Sequence, residues 1–117
     1  MGKVLAISAV LLLVAGCHHS AEVPQPVCFP KRPAPKPLTG AEQKALNDTK
    51  SRTSASCHAA NTQCGFDVTL SPRGEIVVGV TFAIVQGNPL QCFFGPGRER
   101  IDVYSSSGDY MRNISIL

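Results

Sequence analysis

The sequence of 117 residues predicts an α+β fold, in which one short helix packs on an antiparallel β-meander of four or five strands stapled by disulfides. Three observations predict it. One segment carries helix-capping signals, two stretches of alternating apolar residues are interrupted by turn sequences, and four cysteines are spread over the same region. Residues 39–117 are enough for one modest core, which covalent staples would strengthen.

A cationic residue and a short apolar run open the chain. Lys3 precedes residues 4–15, a run that is too short for a bilayer-spanning helix, which takes about 20 apolar residues. This arrangement is typical of a secretory signal peptide. The sequence therefore predicts that residues 1–16 are a signal peptide and are removed on export.

The end of this run carries a short motif that contains the first cysteine. Residues 13–17 read LVAGC, which resembles a bacterial lipobox over residues 1–17. The resemblance implies cleavage before Cys17, lipidation of its thiol and acylation of the new N-terminus, so that several acyl chains hold the protein on a membrane. His18 follows where an aspartate would signal retention in the inner membrane, and the resemblance therefore favours the outer membrane.

Residues 17–38 are predicted to form a lipidated, proline-rich tether. Six prolines fall between Pro24 and Pro37, which disfavours a helix or a central strand and favours extended polyproline II. At about 3.1 Å per residue, such a tether would reach roughly 60 Å. Three cations, Lys31, Arg32 and Lys36, make it basic, either as a solvated spacer or as a contact for anionic headgroups. His18 and His19 are interpreted as polar spacer rather than as metal ligands.

A helix is predicted over residues 39–52. Thr39 is the N-cap, and Glu42 follows three residues later, as in a capping box. A thin apolar stripe formed by Ala41, Ala45 and Leu46 gives it one face for packing. The small, polar residues 53–65 that follow are predicted to be a loop.

Two hairpins are predicted from turn sequences. Residues 71–74 (SPRG) form a turn with glycine in the left-handed position, and Gly108-Asp109 forms a two-residue hairpin loop. Both registers place aliphatic residues on one face of the sheet. The first turn pairs Leu70 with Ile76, Val68 with Val78 and Phe66 with Val80. The second pairs Ser107 with Tyr110, Ser105 with Arg112, Val103 with Ile114 and Ile101 with Ile116.

Four cysteines remain after Cys17 is assigned to lipid: Cys28, Cys57, Cys64 and Cys92. An exported location is oxidising, so two disulfides are predicted. We favour Cys57–Cys64 with Cys28–Cys92. The alternatives are Cys28–Cys57 with Cys64–Cys92, and a zinc site formed by the cysteines with His58, which the absence of a C-x-x-C pair disfavours.

The composition and the motifs argue against several classes of function. The formal charge of +3 falls to +2 without Lys3, which is too mild to indicate a nucleic-acid-binding protein. No phosphate-binding loop, zinc-protease helix or G-x-S-x-G motif is present in the sequence. We therefore predict a non-enzymatic protein without cofactor or metal.

The sequence GPGRER marks a candidate binding patch of Arg98, Arg100 and Tyr104, since arginine and tyrosine are enriched at binding hot spots. The alternative is a local network in which Glu99 pairs with the arginines and supports the turn.

The sequence thus predicts an outer-membrane-anchored lipoprotein with a small, periplasm-facing binding or inhibitor domain that performs no catalysis. The alternative is a structural or assembly accessory of an envelope or secretion complex. The predicted partners are the membrane, through the lipid on Cys17, and an envelope protein, with no nucleic acid. Because both functions are class-level analogies, neither identifies the partner.

Overall fold

The computed structural model describes residues 24–32, 36–95 and 99–116. Within these ranges two helices precede five antiparallel strands, which is the predicted α+β class. The lipobox, Cys17, His18 and His19 lie outside the described residues. Within the described part of the chain, no helix has the length and apolar character needed to cross a membrane. The elements are α1 (Gly40–Arg52), α2 (Ser54–Cys57), β1 (Thr62–Leu70), β2 (Ile76–Gln86), β3 (Gln91–Phe93), β4 (Glu99–Tyr104) and β5 (Tyr110–Ile116).

Helix α1 begins with the predicted capping box. The amide of Glu42 donates to Thr39 Oγ1 at 3.2 Å, and Glu42 Oε1 accepts from the Thr39 amide at 3.0 Å. The hydrogen bond that the carboxyl accepts from the Thr39 amide is the main reason that the pKa of Glu42 is lowered. The predicted stripe faces the sheet, because Ala45 is fully buried and Ala41 and Leu46 pack at the edge of the core. The capping box and the stripe are therefore both confirmed.

The loop predicted over residues 53–65 is wrong at both ends. The one-turn helix α2 occupies Ser54–Cys57, and β1 already begins at Thr62. A tight reversal joins them at Asn61, whose φ of 59° lies in the left-handed region that asparagine tolerates. The Cys57–Cys64 disulfide ties the end of α2 to β1, so these small residues are ordered by a covalent constraint that propensity does not report.

The first hairpin has the predicted register, with Leu70 opposite Ile76, Val68 opposite Val78 and Phe66 opposite Val80. Gly74 takes the left-handed position with φ of 80°. The hydroxyl of Ser71 accepts from the amides of Arg73 at 3.3 Å and Glu75 at 3.1 Å, which closes the turn. The turn sequence and the apolar alternation therefore determine the same pairing.

The predicted register of the second hairpin is wrong. Instead of Ile116, Ile101 pairs with Ile114, and a bulge lies between Val103 and Tyr104. The loop spans residues 105–109 and repeats the first turn. Ser105 Oγ accepts from the Asp109 amide at 3.2 Å, and Gly108 has φ of 85°. The serine-closed turn replaces the two-residue loop because it satisfies more backbone donors and places Gly108 against the N-terminal end of α1.

The sheet order is β1-β2-β4-β5, with β3 also paired to β2. Strand β4 pairs with residues 76–81 of β2, and β3 pairs with residues 84–86 along the same edge. Strands β3 and β4 thus act as one strand that is interrupted between Phe93 and Glu99. The predicted meander is present, and its third strand is divided into β3, which ends at Phe93, and β4, which begins at Glu99.

Both faces of the sheet bury apolar residues. Under α1 lie Ile76, Val78, Val80 and Tyr104, and on the opposite face Ala83 and Val85 are buried towards the end of β2. The buried residues of β2 are assigned to these two faces by their positions along the strand, because successive residues of a strand point to opposite sides of the sheet.

The segment at residues 24–32 lies on the face opposite α1. The Cys28 amide donates to Gln63 Oε1 at 3.0 Å, and Gln63 Nε2 donates to the Pro26 carbonyl at 2.7 Å. The ring of Phe29 covers Gly65, where a Cβ atom would overlap it. Part of the segment predicted to be a tether is therefore attached to the sheet.

Two disulfides join Cys28 to Cys92 and Cys57 to Cys64, with Cα–Cα separations of 5.7 Å and 5.5 Å. This is the connectivity favoured by the sequence. Because all four thiols are consumed, the alternative zinc site built on these cysteines does not form.

The two disulfides are expected to contribute unequally to stability. The bridge between Cys28 and Cys92 closes a span of 64 residues, and that between Cys57 and Cys64 a span of 7. In the chain-entropy model these spans correspond to about 4 and about 2 kcal/mol. Urea unfolding of the Cys28→Ser/Cys92→Ser and Cys57→Ser/Cys64→Ser variants measures both values. A larger loss for the short bridge would contradict the loop-length argument.

Candidate functional site

A groove of about 900 Å³ follows the edge strand β1. Its floor is formed by residues 64–68 of β1. One wall is a stripe of α1, formed by Glu42, Leu46 and Lys50, and the other wall is formed by residues 28–32 and 36–38. We call this feature the β1 groove. It encloses both faces of the strand, since Phe66 lies on the side of α1 and Gly65 on the side of Phe29.

The helical wall follows from the period of α1. Residues spaced by four lie on one face, so Glu42, Leu46 and Lys50 align along the groove. The Lys50 ammonium lies 5.5 Å from the centroid of the Phe66 ring, within the range of a cation–π interaction. The helix therefore contributes an apolar centre and a cation at its far end.

The second wall is aromatic and basic. Phe29 meets Phe94 edge to face with ring centroids 5.5 Å apart, which gives this wall a fixed apolar base. Lys31, Arg32 and Lys36 are exposed beside it. Their charges are available to a ligand, because the ion pairs within the described ranges involve none of these three side chains.

Two carboxylates also line the groove, and they differ in their availability. Glu42 is held by the Thr39 amide, and the charge of Lys36 helps to lower its pKa. Asp67 is exposed on β1. Four lysine and arginine side chains face two carboxylates, one of which is committed to the helix cap, so the groove has a positive balance.

A second polar cluster lies beneath the C-terminal half of α1. The hydroxyl of Thr49 donates to Asp102 Oδ2 at 2.9 Å and lies 2.6 Å from the hydroxyl of Tyr104. Tyr104 donates to Asp48 Oδ2 at 2.8 Å, and Arg52 Nε donates to the same oxygen at 2.6 Å. Every member is bound to another, so this cluster fastens the helix to the sheet.

The charges of this cluster are set by burial and by neighbours. Burial, together with the carboxylates of Asp48 and Asp102, raises the pKa of Tyr104 to about 12. The hydrogen bond from Arg52 is the main reason that the pKa of Asp48 is lowered. The cluster thus keeps a neutral phenol beside an ionised carboxylate.

The candidate patch of Arg98, Arg100 and Tyr104 is placed differently from the prediction. Tyr104 is 0% exposed beneath α1, so it cannot belong to a surface patch. Arg100 Nε donates to the buried Asp102 at 3.0 Å rather than to Glu99. Arg98 lies outside the described residues. The turn is therefore not supported by the predicted pairing of Arg100 with Glu99.

His58 caps the end of α2, and within the described residues its ring contacts Ser54. Its Nδ1 lies 2.7 Å from the carbonyl oxygen of Ser54, to which the ring N–H donates. No cluster of three metal-ligating side chains occurs among residues 24–32, 36–95 and 99–116. The neighbouring Cys57 is in a disulfide, so it offers no thiolate.

The β1 groove was not predicted from the sequence, although two signals were available. Cations alternate with prolines at residues 30–37, and the α1 residues 42, 46 and 50 share one face. Neither signal shows by itself that both segments border the same strand. Their juxtaposition depends on the Cys28–Cys92 disulfide and on the register of β1, which only the tertiary structure provides.

The pKa of the Tyr104 phenol reports how this polar cluster buries it. The chain has two tyrosines and no tryptophan, so Tyr110→Phe leaves Tyr104 as the single phenol. We expect ultraviolet titration after a rapid pH jump to show its ionisation near pH 12. The folded pKa of Tyr104 lies above the unfolded value of about 10. The stability that this difference contributes is therefore fully present below pH 10 and is lost as the pH rises to 12, which lowers the free energy of unfolding by about 3 kcal/mol. Ionisation near pH 10 in the folded protein would contradict the described burial.

The hydroxyl contact between Thr49 and Tyr104 is expected to produce energetic coupling. Thr49→Val and Tyr104→Phe should each lower the free energy of unfolding by about 1–3 kcal/mol, because each removes a hydroxyl from the buried hydrogen bonds that link the two hydroxyls to Asp48 and Asp102. The double variant should lose at least about 0.5 kcal/mol less than the sum. Urea unfolding of the two single variants and the double variant measures these free energies. Thr69→Val, at an exposed threonine, is the control. Strict additivity would contradict a direct interaction.

The comparisons with known proteins give no family assignment. The chain matches no model of a protein family, no curated protein sequence and no solved structure. Any function must therefore be argued from the geometry of the β1 groove, the disulfides and the sequence of the N-terminal region.

Proposed function

We propose that this chain is a lipid-anchored protein of the bacterial cell envelope, and that its folded part binds another envelope protein and acts by binding rather than by catalysis. The observation that carries the proposal is the β1 groove. It combines an edge strand, three phenylalanine rings and cations that form no ion pair with other described residues, which are features of recognition surfaces.

The two disulfides support an exported location. Such bonds persist in oxidising compartments and are rare in the cytosol. This agrees with the lipobox-like residues 13–17, which imply a lipid on Cys17 and, since His18 follows, sorting to the outer membrane. The folded part would then face the periplasm.

The polar groups beneath α1 support binding over catalysis. Asp48, Thr49, Asp102 and Tyr104 are the residues whose proximity most resembles a reactive site. Thr49, Asp102 and Tyr104 are fully buried, and the hydroxyls are engaged with one another and with the carboxylates. These contacts account for the cluster as the attachment of the helix to the sheet.

One observation favours the alternative function, a structural accessory of an envelope complex. Cys28 is bonded to the sheet, so the stretch from Cys17 to this covalent attachment spans eleven residues. In polyproline II geometry it would be about 34 Å long, which is shorter than a tether ending at residue 38. A short reach suits a protein that acts beside its own membrane, where anchoring is part of the function.

The anchor is tested by mass spectrometry of protein extracted from membranes. We expect the mature chain to begin at Cys17 and to carry acyl groups, and Cys17→Ser should move the protein into the soluble fraction. A mature N-terminus elsewhere, or an unmodified Cys17, would contradict the anchor. The binding function would be unaffected by that result.

The binding function is tested with a photo-crosslinking amino acid placed at single sites in cells. At Lys31 and Phe94, in the β1 groove, we expect crosslinks to a defined envelope protein. At Arg73, on the tip of the first hairpin, we expect none. If the groove positions capture nothing while the protein is folded, the binding function is wrong.

The same experiment with Cys17→Ser separates the two functions. An inhibitor released into the periplasm should still crosslink to its target and act on it. An assembly accessory should lose its effect together with its anchor.

A further inference from the structure

We propose that the β1 groove receives an extended acidic segment of a partner protein, which adds to the sheet as a strand beside β1. This rests on the proposed binding function and specifies its ligand. The ligand class is a peptide segment of about five to seven residues, with apolar side chains alternating with aspartate or glutamate.

The first argument is the direction of the backbone groups of β1. The backbone amide of Ser71 donates to the carbonyl of Glu75 at 2.8 Å, so these two residues form a hydrogen-bonded pair of the β1–β2 ladder. In an antiparallel ladder such pairs alternate with non-bonded pairs. It follows that the N–H and C=O groups of residues 64, 66, 68 and 70 point away from β2, and within the described ranges they have no backbone partner.

The second argument is the shape of the groove. It extends along both faces of β1, with Leu46 and Phe66 on the side of α1 and Phe29 and Gly65 on the other. An added strand presents its side chains alternately to the two faces. One row would contact the apolar part of α1, and the other would contact the rings of Phe29 and Phe94. Peptides recognised by strand addition use backbone hydrogen bonds for affinity and such side pockets for specificity.

The third argument is charge. Lys50 lies at one side of the groove, and Lys31 and Lys36 lie at the other. Acidic side chains on either face of the added strand would therefore meet a cation. A second copy of this chain would bring the same cations together, which disfavours pairing of β1 with β1.

The wall formed by residues 28–32 and 36–38 cannot fill the site that it borders. Pro30 and Pro37 line the groove and lack an amide hydrogen, so this wall cannot pair with β1 as a strand. The other edge strand, β5, is different. Its Arg112 is paired with Glu75 at 3.2 Å, so that edge offers less free positive charge.

The ligand class is tested by selection from a displayed library of random twelve-residue peptides against the oxidised full chain. We expect enrichment of sequences in which acidic residues alternate with apolar ones. Enrichment of basic or charge-free sequences, or of none, would overturn the proposal. If the groove still crosslinks to a protein in cells, that outcome leaves the binding function standing and removes only the strand-addition model.

The role of the cations is tested on one enriched acidic peptide by fluorescence anisotropy. Lys31→Glu/Lys36→Glu should weaken binding at least tenfold. The control variant Lys44→Glu/Arg73→Glu changes the net charge by the same amount at two sites outside the groove. It should change the affinity less than threefold. Equal losses would show that only the overall charge matters, which would overturn the specific site. Binding of the peptide-free protein to itself, seen by sedimentation, would replace the acidic segment with a second copy.

The role of the edge is tested by removing one outward amide. Phe66→Pro removes an N–H that points away from β2, whereas Phe66→Val keeps it and also shortens the side chain. We expect the proline variant to lose binding by at least tenfold relative to the valine variant. Amide hydrogen exchange should show protection at residues 64, 66 and 68 when the peptide binds. Protection on β5 instead would overturn the proposal, and this measurement needs no variant to fold.

Discussion

Strand β2 is the constraint on which the rest of the structure depends, because it is paired along both edges and covered on both faces. Strand β1 follows one edge, and β4 and β3 share the other. Its alternate residues enter two different apolar layers, with Val78 beneath α1 and Val85 on the opposite side. A strand buried in this way has a nearly continuous apolar sequence, as IVVGVTFAIV does. The positions of the helix and of the segment at residues 24–32 are both consequences of that double covering.

The helix is held on this strand by two kinds of contact. At its N-terminal half, Ala41, Ala45 and Leu46 offer little apolar area, because two of the three side chains are single methyl groups. At its C-terminal half, Thr49 and its partners replace apolar packing with directed hydrogen bonds. Directed bonds fix the rotation of a helix more narrowly than small side chains can. The polar cluster thus determines which face of α1 is presented to the β1 groove.

The sequence predicts those features that depend on neighbours along the chain. The capping box at Thr39 and the first hairpin at residues 71–74 were predicted correctly, since each depends on contacts within a few residues. The second hairpin was not, because Gly108-Asp109 also fits the longer turn closed by Ser105, and contact with α1 decides between them. That longer turn repeats the pattern of residues 71–75, a serine followed three residues later by glycine and then by an acidic residue. This repeat was the available signal.

The burial of Tyr104 and the existence of the groove could not be predicted from such patterns. Tyr104 alternates with Val103 along β4, and the sequence does not state which of the two faces the helix. The groove needs residues 28–32 to lie beside β1, which is decided by a bond across 64 residues. Of the candidate site residues within the described ranges, the cysteines are paired as predicted, whereas Tyr104 is buried rather than exposed.

The Cys28–Cys92 disulfide connects the proposed exported location of the protein with its proposed recognition surface. Pro30 and Pro37 prevent the wall that contains them from joining the sheet as a strand, so a covalent bond and the two hydrogen bonds of Gln63 hold this wall in place. An open edge strand is a liability in a folded protein, because it can pair with other copies. Here the attached wall sets cations beside the edge, so the same disulfide also makes the edge repel copies of itself. If the chain is exported as proposed, the groove would be completed only where this disulfide forms, and its charge would then favour the proposed acidic partner.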